Sequence, residues 1–292
     1  MPVDLRPATV DTRDASPSLP AAPAGYSGYR SGMMGLWDLR QLISIMVRRD
    51  LLGRYRGSMM GAFWTVINPV GHLLLYTFVF SIILKVRFGT DASTSNFALY
   101  LMAGLLPWGA LSESLLRATT AILEQPNLVK RVVFPLEILP FVCVISSFLS
   151  ELVSVAVLVV ASSIYTHTVH WTLVFLPLIM LSQLAFTAGV SWLLASLGVY
   201  IQDIRHVISL ALSVWMYATP IVYPASAFPA KLHFLTWVNP IAGIVTDYRR
   251  ILLEGLPPVW TSYAYYTAVA LTVWCIGYWF FHKTKRSFAD VM

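Results

Sequence analysis

The sequence predicts an all-α integral membrane protein of six transmembrane helices, with an N-terminal interfacial amphipathic helix and a re-entrant helical hairpin between spans five and six. Three observations predict that class. Charged residues make up 12% of the 292, about half the roughly 25% of soluble domains. Mean hydropathy is +0.69. Uncharged runs recur at the length of about 20 residues that a helix needs to cross a bilayer, and Thr172 to Tyr200 holds no charge at all. The net charge of +6 does not indicate nucleic acid, because the basic residues flank apolar runs instead of lining a polar domain.

Residues 1–33 are rich in Pro, Ala, Ser, Gly and Thr and lack the charged-then-apolar layout of a signal peptide. They cannot bury a core and read as a disordered cytoplasmic tail. In LWDLRQLISIMV (36–47), Leu36, Leu39, Leu42, Ile43, Met46 and Val47 fall on one helical face, opposite Arg40, Gln41, Ser44 and Arg48. A short helix of that pattern belongs in the membrane interface, and with the basic linker after it occupies 34–57. Within the linker Arg48, Arg49, Arg54 and Arg56 crowd the threshold of the first apolar run, with Asp50 the one acidic residue.

Six runs are candidate spans, near 60–85, 97–121, 136–165, 172–200, 207–223 and 260–281, within a transmembrane domain of 58–292. The fifth is the shortest and ends at Pro220 and Pro224. The second and third carry Glu113 and Glu151, each an unfavourable insertion of a few kcal/mol. Cys143 and Cys275 lie inside apolar runs and are expected as buried thiols, not a disulfide. With both termini cytoplasmic, Lys85, Arg87, Lys231, Arg249 and Arg250 fall outside, and the other fifteen of the twenty Lys and Arg fall inside or at inner helix ends. That asymmetry favours an even number of spans with inner termini.

Segment 224–258 resists the span reading. Its apolar pieces are broken by Pro229, Lys231, Pro240, Asp247 and Arg249. Asn239 as N-cap with Pro240 at the first helical position starts a helix, and Gly255 followed by Pro257 stops it. A short helix of about 240 to 254 is therefore expected. Non-crossing backbone at membrane depth must be buried in protein or line a cavity, so a re-entrant hairpin fits better than an exposed loop.

The sequence offers no catalytic motif. No G-x-x-x-x-G-K-[ST], H-E-x-x-H, C-x-x-C or G-x-S-x-G occurs, and no Gly is followed by Lys. A membrane phosphosugar transferase would cluster acidic residues around a divalent cation, whereas Asp203, Asp247 and Asp290 stand on separate segments. No metal site and no cofactor are expected on this chain. Transport remains.

Several stretches resemble one family. RDLLGRYRGSMMGAFWTVINP (49–69) is similar to the signature of the membrane subunit of polysaccharide-exporting ABC transporters. LMAGLLPWGALSESLLRATTAI (101–122), NLVKRVVFPLEILP (127–140), WVNPIAGIVTDYRRILLEG (237–255) and the terminal FADVM (288–292) agree with it. The likeness covers nearly everything after residue 36. It is closer to exporters of lipid-linked O-antigen and wall teichoic acid than to the capsule group, whose segment matching Asn127 to Pro135 reads differently. The resemblance implies a homodimer, two copies of a cytoplasmic ABC ATPase that hold the ATP and Mg, a bacterial inner-membrane location and a polyprenyl-pyrophosphate-linked glycan as cargo. A small-molecule or drug exporter of the same superfamily is the alternative within transport.

The resemblance gives residues roles. Arg49, Arg54 and Arg56, with Arg48 beside them, are candidates for the lipid pyrophosphate, because guanidinium forks bind phosphate oxygens bidentately. Arginines there also fix topology and attract anionic membrane lipid at about 1 kcal/mol each, and both readings stand. Asn127, Leu128, Val129, Lys130, Arg131 and Phe134 lie in the loop that in the family presses on the ATPase. A lipid-facing loop is the plainer reading. The interfacial helix is a second contact candidate.

Glu113 lies four residues before Arg117, which suggests an ion pair. Glu151 is protonated, paired or turned to a water-filled passage, with no partner identifiable from sequence. Trp64, Trp108, Trp215, Tyr217 and Tyr223 sit near span ends, where interfacial belts are usual. In a passage such rings would let sugar faces slide.

Overall fold

The computed structural model describes residues 39–54, 57–84, 95–129, 134–201, 203–223, 231 and 233–291. The 1–33 tail, Arg56, Lys130 and Arg131 lie outside the described residues. All regular structure among the described residues is helical.

Helix α1, Arg40–Arg54, does not end where the amphipathic pattern does. It continues through the basic run expected as a linker, supported by an Arg54–Asp50 pair one turn apart (3.4 Å). Its buried residues are Leu39, Met46 and Val47, which belong to the apolar face read from sequence, and it lies along α5. Helix α2, Trp64–Tyr76, widens into a π-helical stretch over Thr77–Ile83. Only 6% of the span Trp64–Ile83 is buried within the chain. Helix α3 (Ser95–Ala118), the short α4 (Pro126–Val129), α5 (Ile138–Thr166), α6 (Leu176–Tyr200) and α10 (Trp260–Thr284) follow the apolar runs closely. Among the described residues, five helical segments are long and apolar enough to cross a membrane.

The fifth expected span differs. Helix α7, Ile204–Ala218, has 15 residues and reaches about 22 Å, short of the roughly 30 Å hydrocarbon core. It stops before Pro220, whose ring excludes a helical predecessor, and Thr219 is extended. The short α8, His233–Val238, precedes α9, Pro240–Arg249, which runs on as a π turn to Glu254. Its boundaries agree with the sequence signals. The Asn239 side chain accepts from Ile241 N, and Gly255 closes the helix at φ 64. A 3-10 turn, Lys285–Ser287, leads to α11, Phe288–Val291.

Two ends of the bundle can be told apart. One carries α1, the end of α3, the start of α5 and the last segment, where Lys285 Nζ meets the fully buried Glu137 Oε2 at 3.3 Å. The other carries the α5–α6 connection, the start of α10 and Gly255.

The centre of the core is the α6–α10 pair, the most extensive helix contact among the described residues. Its closeness is a glycine effect. A Cβ on Gly277 would stand 2.0 Å from the Gly189 carbonyl oxygen, and one on Gly189 would stand 2.5 Å from the Val273 backbone. Without a hydrophobic drive inside lipid, helices associate by such backbone proximity. Cys143 is buried as expected, but Cys275 is exposed. It points off the outer face of α10, where an apolar run meets lipid as readily as protein.

Candidate functional site

At the terminal end, the basic threshold divides in two. Arg48 and Arg49 are exposed on α1. Arg54 is not available in the same way, since its Nη1 meets Glu113 Oε1 at 2.5 Å and its Nε meets Asp50. Arg117 Nη2 donates to Asp50 Oδ1 and its Nη1 stands 3.7 Å from Glu113. Two guanidinium groups and two carboxylates thus tie α1 to the end of α3. The Glu113–Arg117 pair expected from spacing is its longest edge, and Arg54, 59 residues earlier in sequence, takes the short contact.

Asp50→Asn is expected to leave two cations on one carboxylate. The members are partly exposed, so the loss is about 1 kcal/mol. It should show as thiol labelling of an otherwise buried Val47→Cys, and equal labelling with and without Asp50→Asn would remove the anchoring role.

Glu151 has partners on two other helices, Tyr248 of α9 and Gln183 of α6. The Tyr248 hydroxyl stands 2.7 Å from Glu151 Oε1 and 2.8 Å from Gln183 Oε1. Gln183 Nε2 donates to Glu151 Oε2 at 3.0 Å and to the Pro107 carbonyl at 3.2 Å. Gln183 and Tyr248 are fully buried and Glu151 is 4% exposed. This network joins α3, α5, α6 and α9 near mid-bundle. Beside it a cavity of about 370 Å³ opens between α2, α3 and α5, lined on its polar side by Asn68, His72, Glu113, Ser147, Ser150 and Glu151.

Helix α9 is held by three consecutive side chains, each facing a different neighbour. Asp247 accepts from Val259 N (3.0 Å) and from the Tyr266 hydroxyl (2.9 Å) on α10. Tyr248 enters the Glu151 network. Arg249 turns to the broken chain after α7, where Nη1 donates to the Pro220 carbonyl and Nη2 to the Ile221 carbonyl, both at 2.7 Å. It also donates to the Tyr100 carbonyl and hydroxyl at 3.2 and 2.9 Å and stacks 3.6 Å from the Tyr100 ring centroid. Buried carbonyls outside a helical ladder need donors, and Arg249 supplies them where α7 stops early. Asn239 completes the junction, accepting from Trp215 Nε1 (3.1 Å) and donating to Thr219 Oγ1 (2.8 Å).

The remaining predicted residues scatter. Asn127 is exposed, Leu128 and Val129 are buried, and Phe134 packs on the core edge. Trp64 donates to Ser58 Oγ at 2.9 Å. Trp108 is buried edge-on against Trp215, with centroids 5.8 Å apart, and Tyr217 is exposed. The Tyr223 hydroxyl donates to the Tyr217 carbonyl.

The sequence reading passed over Gln183, Asp247, Tyr248 and Arg249 as site residues. A signal was present, because Thr246 to Arg250 is a polar run inside an otherwise apolar helix, and such residues, once buried, require partners.

A sequence model of the ABC-2 type transporter family matches residues 41–253. The O-antigen export system permease protein RfbA of Myxococcus xanthus is 29% identical over 257 residues, covering 87% of this chain and 96% of that protein. The protein of the same name from Klebsiella pneumoniae is 30% identical over 256 residues, with the same coverage. The polysialic acid transport protein KpsM of Escherichia coli is 23% identical over 241 residues, 80% of this chain and 90% of that protein.

Proposed function

This chain belongs to the ABC-2 type transporter family, and on that premise we propose that it is the transmembrane subunit of a polysaccharide exporter of the O-antigen type. The observation that carries the reading is the likeness to O-antigen export permeases over 87% of the chain. The cargo is a glycan on a polyprenyl-pyrophosphate carrier, and the drive comes from two copies of a separate cytoplasmic ABC ATPase. The subunit works as a homodimer in a bacterial inner membrane, with both termini cytoplasmic. Each subunit passes the membrane six times, α7 and the extended chain after it together forming one broken passage beside the re-entrant α8–α9 pair.

The exposed Arg48 and Arg49 are the arginines we assign to pyrophosphate oxygens, with Arg56 next to them in sequence. Arg54 shapes that surface from beneath, through its carboxylate partners. Asn127, with Lys130, Arg131 and Phe134 of the same segment, is assigned to ATPase coupling, while the buried Leu128 and Val129 anchor the loop from inside.

The test is deletion of the gene combined with affinity purification of the tagged chain. Lipid-linked glycan accumulating on the cytoplasmic leaflet, together with a co-purifying P-loop ATPase, is expected. Undiminished surface polysaccharide after deletion would refute the export role.

A further inference from the structure

We propose that the cavity between α2, α3 and α5 is a saccharide pocket that holds one neutral pyranose unit of the exported glycan. The assignment rests on the export reading and adds a contact site to it. The space measures about 370 Å³, within the range of about 300–1,000 Å³ usual for ligand pockets.

Two polar stripes line it. On α2, Asn68, His72 and Tyr76 recur every four residues, which puts them on one helical face. On α5, Ser147, Ser150, Glu151 and Ser154 share a face in the same way. Other positions of α2, such as Val66, Val70 and Leu74, expose apolar side chains that suit lipid. An amide and an imidazole do not. Polar and ionisable groups within a span turn to the interior or to a wet cavity, and they mark substrate paths.

The α2 groups are uncommitted. Asn68, His72 and Tyr76 make no hydrogen bond among the described residues. The His72 and Tyr76 rings stack on each other with centroids 5.9 Å apart. Ser150 and Ser154 donate to carbonyls one turn earlier, at 3.2 and 3.0 Å, so their oxygens remain acceptors. The α3 wall differs, being built from carbon at Met102, Leu105, Leu106 and Trp108.

That division of the lining selects the ligand. An acyl chain offers nothing to the amide and imidazole, and water offers no apolar face to Met102 and Trp108. A pyranose has both, with hydroxyls around its rim and C–H bonds on its faces. Charge narrows the class. Glu113 and Glu151 line the cavity and no Lys or Arg does so among the described residues. A neutral unit is therefore favoured over a uronate or a phosphate.

Thiol labelling of the full-length chain in nanodiscs tests the assignment. Ser154→Cys is placed in a Cys275→Ser background, which removes the exposed native thiol and leaves the buried Cys143. A cationic methanethiosulfonate reports water access. The probes are methyl glucoside, mannoside, galactoside and N-acetylglucosaminide at millimolar concentration, with methyl glucuronide as the anionic comparison. Labelling is expected, slowed about fivefold or more by a neutral glycoside and unchanged by the glucuronide. Each hydrogen bond lost is worth about fivefold. Asn68→Leu/His72→Leu, altered at exposed positions, should therefore need about 25-fold more glycoside for the same protection. An unlabelled Ser154→Cys, labelling that no neutral glycoside slows, equal protection by the glucuronide, or protection unchanged in the double variant would each overturn the proposal. None of these results would touch the export reading, because glycan accumulation after gene deletion is measured separately.

Discussion

Arg249→Met is expected to abolish export and to destabilise the subunit by about 4 kcal/mol. Methionine fills a similar volume but donates nothing. The Pro220 and Ile221 carbonyls lose their Arg249 donors in a place with no water to replace them, at about 1–3 kcal/mol each. Arg249→Lys should recover part of the loss, because one ammonium cannot reach both carbonyls and the Tyr100 pair as a planar fork does. Arg250→Met is the control. Its side chain donates to the Pro257 carbonyl at 3.0 Å, outside the α7 junction, so about 1 kcal/mol or less is expected. Thermal unfolding in detergent, read beside surface polysaccharide, measures all three. Wild-type stability and export in Arg249→Met would show that the break after α7 needs no clamp.

Gly277→Leu should yield no folded protein, and Gly277→Ala a subunit weakened by about 2–3 kcal/mol. The clash is with backbone, 2.0 Å from the Gly189 oxygen, so no rotamer change relieves it. The α6–α10 axes would have to separate, breaking the contacts of Trp192 with Trp274 and Tyr278. Gly109→Ala provides the contrast, because a Cβ there meets nothing within 4 Å and alanine is the better helix former. If Gly277→Ala and Gly109→Ala melt together, the close approach is not a determinant of assembly. Fluorescence-detected size exclusion after graded heating distinguishes the outcomes.

These two sites mark the boundary of what the sequence made legible. Local signals served well. Long uncharged runs placed α3, α5, α6 and α10, and Asn239, Pro240 and Gly255 delimited α9 and its π turn because caps and breakers act within a turn. The buried face of α1 was read from its period. What failed to show is non-local. Nothing near Arg249 in sequence names the Pro220 carbonyl, and Glu151 is 97 residues from Tyr248. The helix α1 ends at Arg54, one turn past Leu51, and its ion pairs to α3 could not be read from its own pattern. The fifth run reads as one continuous segment because its hydropathy continues past Thr219, although its helix ends at Ala218.

The near nakedness of α2 has a mechanical corollary. Swinging it sideways would uncover few residues that its own subunit now buries, whereas parting α6 from α10 would pull apart backbones that already touch. The subunit is therefore soft along one margin and stiff through its middle. A force applied from outside will be spent in moving the margin, and the rigid middle will hand the rest on undiminished.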